Sequence, residues 1–114
     1  MMTLRNEKMP KNCACPIASV VSTLGDRWSL IILRDVLLKK KKHYNEFLNA
    51  PERISTNILA NRLRMLEEEH LLSSNIDPTN RRQKVYLPTQ KARDLEPVLK
   101  ALAEWGLKYG QAKI

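Results

Sequence analysis

The segment from Ile54 to Glu69 constrains the fold most, because it predicts a single helix with two chemically different faces. At about 100° per residue, Leu59, Leu63 and Leu66 fall together on one side. The opposite side carries small residues, amides and one cation: Thr56, Asn57, Ala60, Asn61 and Arg64. No carboxylate occurs in this segment before Glu67, which is unusual for a face that is merely solvated.

The chemistry of the outer face suggests contact with base edges. Asparagine is suited to adenine and arginine to guanine, while small residues let a helix approach the floor of the major groove. Ser55 predicts the start of the helix, since its hydroxyl can accept a hydrogen bond from the first turn. A surface helix whose polar side simply stays wet is the alternative, and for an isolated helix it would be the better choice. The choice between a DNA-contacting helix and a solvated one therefore depends on the rest of the chain.

Length and charge narrow the choice of partner. A chain of 114 residues makes one domain, and its formal net charge of +8 favours an anionic partner, nucleic acid before membrane. No apolar run approaches the roughly 18 residues of a membrane span. The N-terminus lacks the apolar core of a signal peptide, so we expect a cytoplasmic protein with reduced thiols.

The segments before Ile54 predict three further helices. Pro16 opens the first, which carries apolar residues at helical spacing and ends at Gly25. The second, from about Arg27 to Leu38, has so wide an apolar stripe that it should be the central core helix. A short amphipathic helix over His43–Asn49 is then broken by residues 50–53. A short helix, a tight connection and a second helix form the helix-turn-helix arrangement.

The segment after Glu69 predicts a basic hairpin. Residues 71–76 and 83–87 can form two strands, and the sequence Asp-Pro-Thr-Asn between them is typical of a turn. Arg81 and Arg82 would lie at the tip with Lys84 close behind. The predicted fold class is thus mainly α with a small β-hairpin (α+β): a winged helix-turn-helix with N- and C-terminal dimerisation helices.

The last predicted helix is capped by Thr89, with Pro97 as an early kink or restart, and has more apolar surface than one small domain can cover. A second copy of the chain is the simplest partner for it and for the first helix. The predicted dimer interface contains Ile17, Val20, Val21, Leu95, Val98, Leu99, Leu102, Trp105 and Tyr109. The predicted organisation is a loose arm over residues 1–14, one domain over 15–110 and a tail over 111–114.

Several short motifs in order resemble the HxlR family of winged helix-turn-helix transcription regulators, relatives of the MarR group. They are Cys15-Pro16, Gly25-Asp26-Arg27-Trp28, Leu30-Ile31-Ile32-Leu33, Tyr44-Asn45-Glu46-Phe47, Ile54-Ser55, Leu63-Arg64-Met65-Leu66-Glu67, Tyr86-Leu87-Pro88-Thr89, Leu95-Glu96-Pro97-Val98-Leu99 and Trp105-Gly106. The resemblance implies a homodimer that binds an inverted-repeat operator in double-stranded DNA through two such helices and two wings. The chain departs from the family in having His70 and Ala92 where glycine is common.

The predicted DNA-binding residues fall into two groups. Thr56, Asn57, Asn61 and Arg64 would contact bases. Contacts with the DNA backbone, or in the minor groove for the wing, would come from Ser55, Arg62, Arg81, Arg82 and Lys84, with Lys39–Lys42 as weaker candidates. Arg62 lies at the edge of the buried face and could instead pack its stem there.

Cys13 and Cys15 are the chain's two cysteines. Cys15 directly precedes Pro16, where the helix dipole favours a negative charge, and in some family members the cysteine matching Cys15 senses oxidants or electrophiles. Two thiols lack the further ligands that a metal site needs, and His43 and His70 lie in other elements, so no metal or cofactor is expected. No nucleophile–base pair or phosphate loop suggests an enzyme. The alternatives to a DNA-binding regulator are a thiol-based redox protein and a helical protein-interaction module.

Overall fold

The computed structural model describes residues 15–110. Within that range the elements, in chain order, are α1 (Pro16–Leu24), α2 (Ser29–Leu37), α3 (Tyr44–Leu48), α4 (Thr56–Glu68), β1 (Leu72–Asp77), β2 (Asn80–Pro88), α5 (Gln90–Arg93) and α6 (Glu96–Tyr109). None of the helices within residues 15–110 is both long and apolar enough to cross a membrane.

Helix α2 lies at the centre of the core, as its wide apolar stripe predicts. Ile32, Leu33, Val36 and Leu37 are all buried and pack with residues of α4, β1 and β2. The helix begins at Ser29, two residues later than predicted from the apolar pattern. The reason is Asp26, whose carboxylate accepts hydrogen bonds from the backbone N–H groups that open α2.

Helices α3 and α4 form the predicted helix-turn-helix. Ser55 Oγ accepts a hydrogen bond from the backbone N–H of Ile58 at 3.2 Å, which caps α4. The inner face of α4 is buried at Leu59, Leu63 and Leu66, as its periodicity predicts. His70 follows the helix with a φ of 61°, so it adopts the left-handed conformation at the position where the family often has glycine.

Strands β1 and β2 form an antiparallel hairpin, the wing. The second strand begins at Asn80, earlier than the predicted Gln83, because Asn80 pairs with Asp77 across the turn. The register changes between Ile76, which pairs with Lys84, and Asp77. Residues 81–83 therefore lie in the irregular tip of the wing. The order of elements is that of a winged helix-turn-helix domain.

The C-terminal helix is divided into α5 and α6, with Pro97 in the first turn of α6. This agrees with the expectation of a kink or restart at Pro97. Leu99 is only 7% exposed and belongs to the core of its own domain, and Leu95 packs against that core. This corrects the sequence prediction for Leu99, which has little surface left to bury in a dimer interface.

Candidate nucleic-acid interface

The outer face of α4 is exposed along its length. Thr56, Asn57, Asn61 and Arg64 all reach solvent, opposite the buried leucines. The first turn of α4 is tied to α3, because the Tyr44 hydroxyl donates to the carbonyl oxygen of Thr56 at 3.1 Å. The four side chains predicted to contact bases thus lie on one helix that is anchored at its N-terminal end.

A groove of about 460 Å³ runs between α4 and the wing. Arg64 and Lys84 both line it, and the carboxylates of Glu67 and Glu68 line its other end, near the end of α4. An adjoining cleft of about 340 Å³ is lined by Tyr44, Asn45, Arg82, Gln83, Lys84 and Tyr86. The structure therefore brings a predicted base-contacting arginine together with two predicted backbone-contacting residues of the wing.

The charges of the wing tip favour an anionic ligand. Among residues 15–110, no carboxylate forms an ion pair with Arg64, Arg81, Arg82 or Lys84. Glu67, near the end of α4, accepts a hydrogen bond from Ser74 Oγ at 2.9 Å and is thus held toward β1. Positive charge is concentrated at the wing tip, where Arg81, Arg82 and Lys84 are exposed, as contact with a phosphate backbone requires.

The wing is anchored to the start of α3 through its turn. Asp77 Oδ1 accepts hydrogen bonds from the backbone N–H and hydroxyl of Thr79, each at 2.8 Å, and Asp77 Oδ2 lies 3.0 Å from His43 Nε2. Thr79 first and His43 second hold the pKa of Asp77 at about 2. The wing thus keeps a defined position relative to the helix-turn-helix.

Arg62 interacts within the domain. Its Nε donates to Asp26 Oδ2 at 2.8 Å, and its Nη1 donates to Oδ1 of Asn61. Burial opposes ionisation of Asp26, but the hydrogen bonds from Ser29 and Arg62 prevail and lower its pKa. The structure therefore joins the start of α2 to the outer face of α4 through Arg62, and contact of Arg62 with phosphate stays a prediction.

Ser55 and the basic run Lys39–Lys42, also predicted to contact the DNA backbone, lie at different places on the domain. Ser55 uses its oxygen to cap α4, but its hydroxyl hydrogen remains able to donate to a phosphate. Lys40, Lys41 and Lys42 line a separate cleft of about 340 Å³ at the base of the wing, with Arg93. None of Lys39–Lys42 lines the groove beside α4, and Lys41 Nζ lies 3.6 Å from Asp35 Oδ2.

Cys15 is exposed at the N-cap of α1, where its Sγ accepts a hydrogen bond from the backbone N–H of Ala18 at 3.4 Å. Cys13 lies outside the described residues, so the structure tests no pairing between the two thiols. Among residues 15–110 no three His, Cys, Asp or Glu side chains are grouped so that they could hold a metal ion.

The sequence pattern of the HxlR-like helix-turn-helix family matches residues 23–114. The chain belongs to the HxlR family. Two relatives support this assignment. An HTH-type transcriptional regulator of Synechocystis, sll1512, is 34% identical over 81% of this chain and 67% of its own length. The HTH-type transcriptional regulator YodB of Bacillus subtilis is 30% identical over 82% of this chain and 84% of its own length.

Solved structures agree with the family assignment. The reduced form of YodB covers 90% of this HxlR-family chain and 100% of its own, with 29% identity and a TM-score of 0.67. The structure of the redox regulator HypR in its oxidised form matches 88% of this chain and 100% of the HypR chain, with 25% sequence identity and a TM-score of 0.72. This HxlR-family protein is thus a transcription regulator with a DNA-binding helix-turn-helix fold.

Three residues in or near the interface region stood out in the sequence only as members of HxlR-family motifs. Tyr44 and Asn45 both line the cleft beside the wing, and Tyr44 also lines the groove beside α4. Asp26 was noticed only as part of a family motif, although an aspartate three residues before Ser29 is itself a helix-start signal. Its contact with Arg62 spans 36 positions and has no local signature.

Proposed function

We propose that this regulator binds an inverted-repeat operator as a homodimer, inserting α4 of each protomer into successive major grooves. The observation that carries the proposal is the exposed face of α4, where two amides and a threonine accompany Arg64, and Arg64 lines a groove together with Lys84 of the wing. Amides and guanidinium groups supply the hydrogen bonds that distinguish base edges in the major groove.

Two kinds of contact follow from this placement. Thr56, Asn57, Asn61 and Arg64 face the bases, because they share the outward side of α4. Arg81, Arg82 and Lys84 meet the sugar–phosphate backbone or the minor groove from the wing, and Ser55 meets a phosphate at the start of α4. Phosphate contacts fix the position of the domain on the duplex, while the contacts of α4 specify sequence.

The homodimer covers the apolar faces that the single chain leaves open. On α1, Ile17 is 75% exposed, and Val20 and Val21 are exposed beside it. On α6, Trp105 is 64% exposed, and Val98, Leu102 and Tyr109 lie along the same side. Contiguous apolar surface of this kind marks an interaction site, and a two-fold dimer would match the two half-sites of an inverted repeat.

A redox response through Cys15 is a second proposal. The specific observation is that Cys15 is exposed at the start of α1, the helix that presents part of the proposed dimer interface. Modification of its sulfur would alter the packing of the two protomers and hence the spacing of the two α4 helices. The similarity to the redox regulator HypR and to YodB, solved in a reduced form, supports this proposal.

Selection of bound duplexes from a random pool tests the proposed function. The expected result is an inverted repeat whose half-sites lie about one helical turn apart, roughly 10 base pairs centre to centre. The matched control carries Asn57→Ala, Asn61→Ala and Arg64→Ala together, which leaves the wing cations intact. This variant should bind duplexes without selecting a motif. Failure of the wild-type protein to enrich any motif would overturn the proposal.

A further inference from the structure

The hydrogen-bond chain from Asp26 through Arg62 to Asn61 joins a buried helix start to the DNA-facing side of α4. Asp26 Oδ2 accepts from Arg62 Nε at 2.8 Å while it also accepts from the backbone N–H groups of Trp28 and Ser29, each at 3.0 Å. Asp26 is therefore fixed by the backbone of α2, and it in turn fixes the guanidinium of Arg62.

The far end of that guanidinium occupies the carbonyl oxygen of Asn61. Nη1 of Arg62 donates to Asn61 Oδ1, so the amide NH₂ group of Asn61 keeps both of its donors for another partner. Arginine has only donors, and the amide nitrogen of asparagine has two. Together the neighbouring side chains offer several donors and a positive charge, while the carbonyl oxygen of Asn61 shares one of its two lone pairs with Arg62.

We propose that Asp26 is a positioning residue for base recognition: through Arg62 it makes Asn61 a donor toward DNA, which favours guanine over adenine at the base that Asn61 meets. This inference rests on the proposed function. The usual asparagine–adenine contact needs Oδ1 to accept from the adenine amino group. Here one of the two lone pairs of Oδ1 already accepts from Arg62, and the guanidinium charge beside it repels the partly positive amino group of adenine. Guanine instead offers two acceptors, N7 and O6.

Arg62→Met is the direct test, because methionine keeps an apolar stem and removes the donor that holds Asn61. Duplexes are selected from a random pool with the wild-type protein, Arg62→Met, Asp26→Asn and Asn61→Ala. Asn61→Ala identifies the operator position that Asn61 determines. At that position the wild-type protein should enrich guanine. Arg62→Met should shift the preference toward adenine by about tenfold, the lower range of one bidentate base contact.

Asp26→Asn tests the first link of the chain. The asparagine carbonyl can still accept from the start of α2, but the charge that holds Arg62 is gone. We expect the base preference to shift toward adenine, as for Arg62→Met, but by a smaller factor. The double variant Arg62→Met with Asn61→Ala should lose the shift, since its origin is the amide of Asn61.

Glu52→Gln serves as the matched control, because it breaks a different ion pair of the domain, with Arg34. This variant should lower the midpoint temperature of thermal unfolding and leave the base preference unchanged. The inference is overturned if Arg62→Met or Asp26→Asn leaves the preference at the Asn61 position unchanged, or weakens all duplexes alike. It is also overturned if Asn61→Ala changes the base preference at no position of the operator. A wild-type protein that selects no motif overturns the proposed function itself, which separates the two failures.

Discussion

Arg34 and Glu52 are joined by two parallel hydrogen bonds, from Nη1 to Oε2 at 2.7 Å and from Nη2 to Oε1 at 3.0 Å. This bidentate pair connects the central helix α2 to the turn between α3 and α4. Arg34 Nη2 also donates to Asp35 Oδ1 at 2.8 Å, so the guanidinium is held from two sides. The orientation of the helix-turn-helix on the core thus depends in part on a charged contact.

The first prediction concerns the pH dependence of stability. Arg34 lowers the pKa of Glu52 from 4.5 to about 2. Because the pKa is lower in the folded state, the stabilisation is fully present above about pH 4.5 and is lost as the pH falls toward 2. Solvent screening of this partly exposed pair reduces the contribution to about 1 kcal/mol. Urea unfolding of wild type and Glu52→Gln should differ by that amount at pH 7 and converge near pH 2. A constant difference across this range would contradict the assignment.

The second prediction concerns assembly. Leu102→Glu should weaken dimerisation and DNA binding together, since it would bury an unpaired charge in the proposed interface. Leu107→Glu is the matched control: the two leucines are equally exposed, at 51% and 52%, but lie on different sides of α6. Sedimentation at micromolar concentration should show a dimer for wild type and Leu107→Glu, and a monomer for Leu102→Glu. A monomeric wild-type protein would contradict the proposed dimer.

The third prediction separates base contacts from backbone contacts. Arg64→Ala should lose about 1–3 kcal/mol on the selected operator and relax its sequence preference, as loss of a guanine contact does. Arg82→Ala should weaken binding to all duplexes alike. It should also reduce the slope of log affinity against log salt concentration by about the amount due to one phosphate contact. Both are measured by titration of operator and scrambled duplexes at several salt concentrations. Identical effects of the two variants on both duplexes would show that the roles are assigned wrongly.

The fourth prediction concerns Cys15. In the simplest case two Cys15 thiols, one from each protomer, form a disulfide; they release two protons and two electrons, which diamide takes up as its hydrazine. Operator affinity of the wild-type protein should change after diamide, while Cys15→Ser should be insensitive. Cys13→Ser is the matched control and should respond like wild type. An unchanged wild-type affinity, or an equal response of the Cys15→Ser variant, would exclude Cys15 as the switch.

Local patterns in the sequence predicted most of the fold. The leucines of α4 recur at helical spacing and are buried, and Ser55 caps the helix as its side chain allows. The turn residues after Asp77 likewise predicted the hairpin, because their preferences act over a few positions. In each case the information lies within one element.

Long-range relationships could not be predicted in the same way. Leu99 shares the apolar side of α6 with Leu102, yet only Leu99 packs into the core, because the position of α6 on α2 is set by the whole domain. The contact of Arg62 with Asp26 depends on where α2 and α4 meet. A basic residue at the edge of a helix face is equally compatible with a phosphate contact and with an internal ion pair.

Sequence-dependent binding to duplex DNA tests the central claim most directly. The wild-type protein is titrated into its selected inverted repeat and into a scrambled duplex of equal length and composition, at salt concentrations between about 50 and 200 mM. Affinity for both duplexes should fall steeply with salt, because wing cations displace counterions from phosphates. The inverted repeat should remain at least about 10³-fold tighter throughout. Equal affinity for the two duplexes, or affinity that does not change with salt, would contradict recognition of an operator by α4 and the wing.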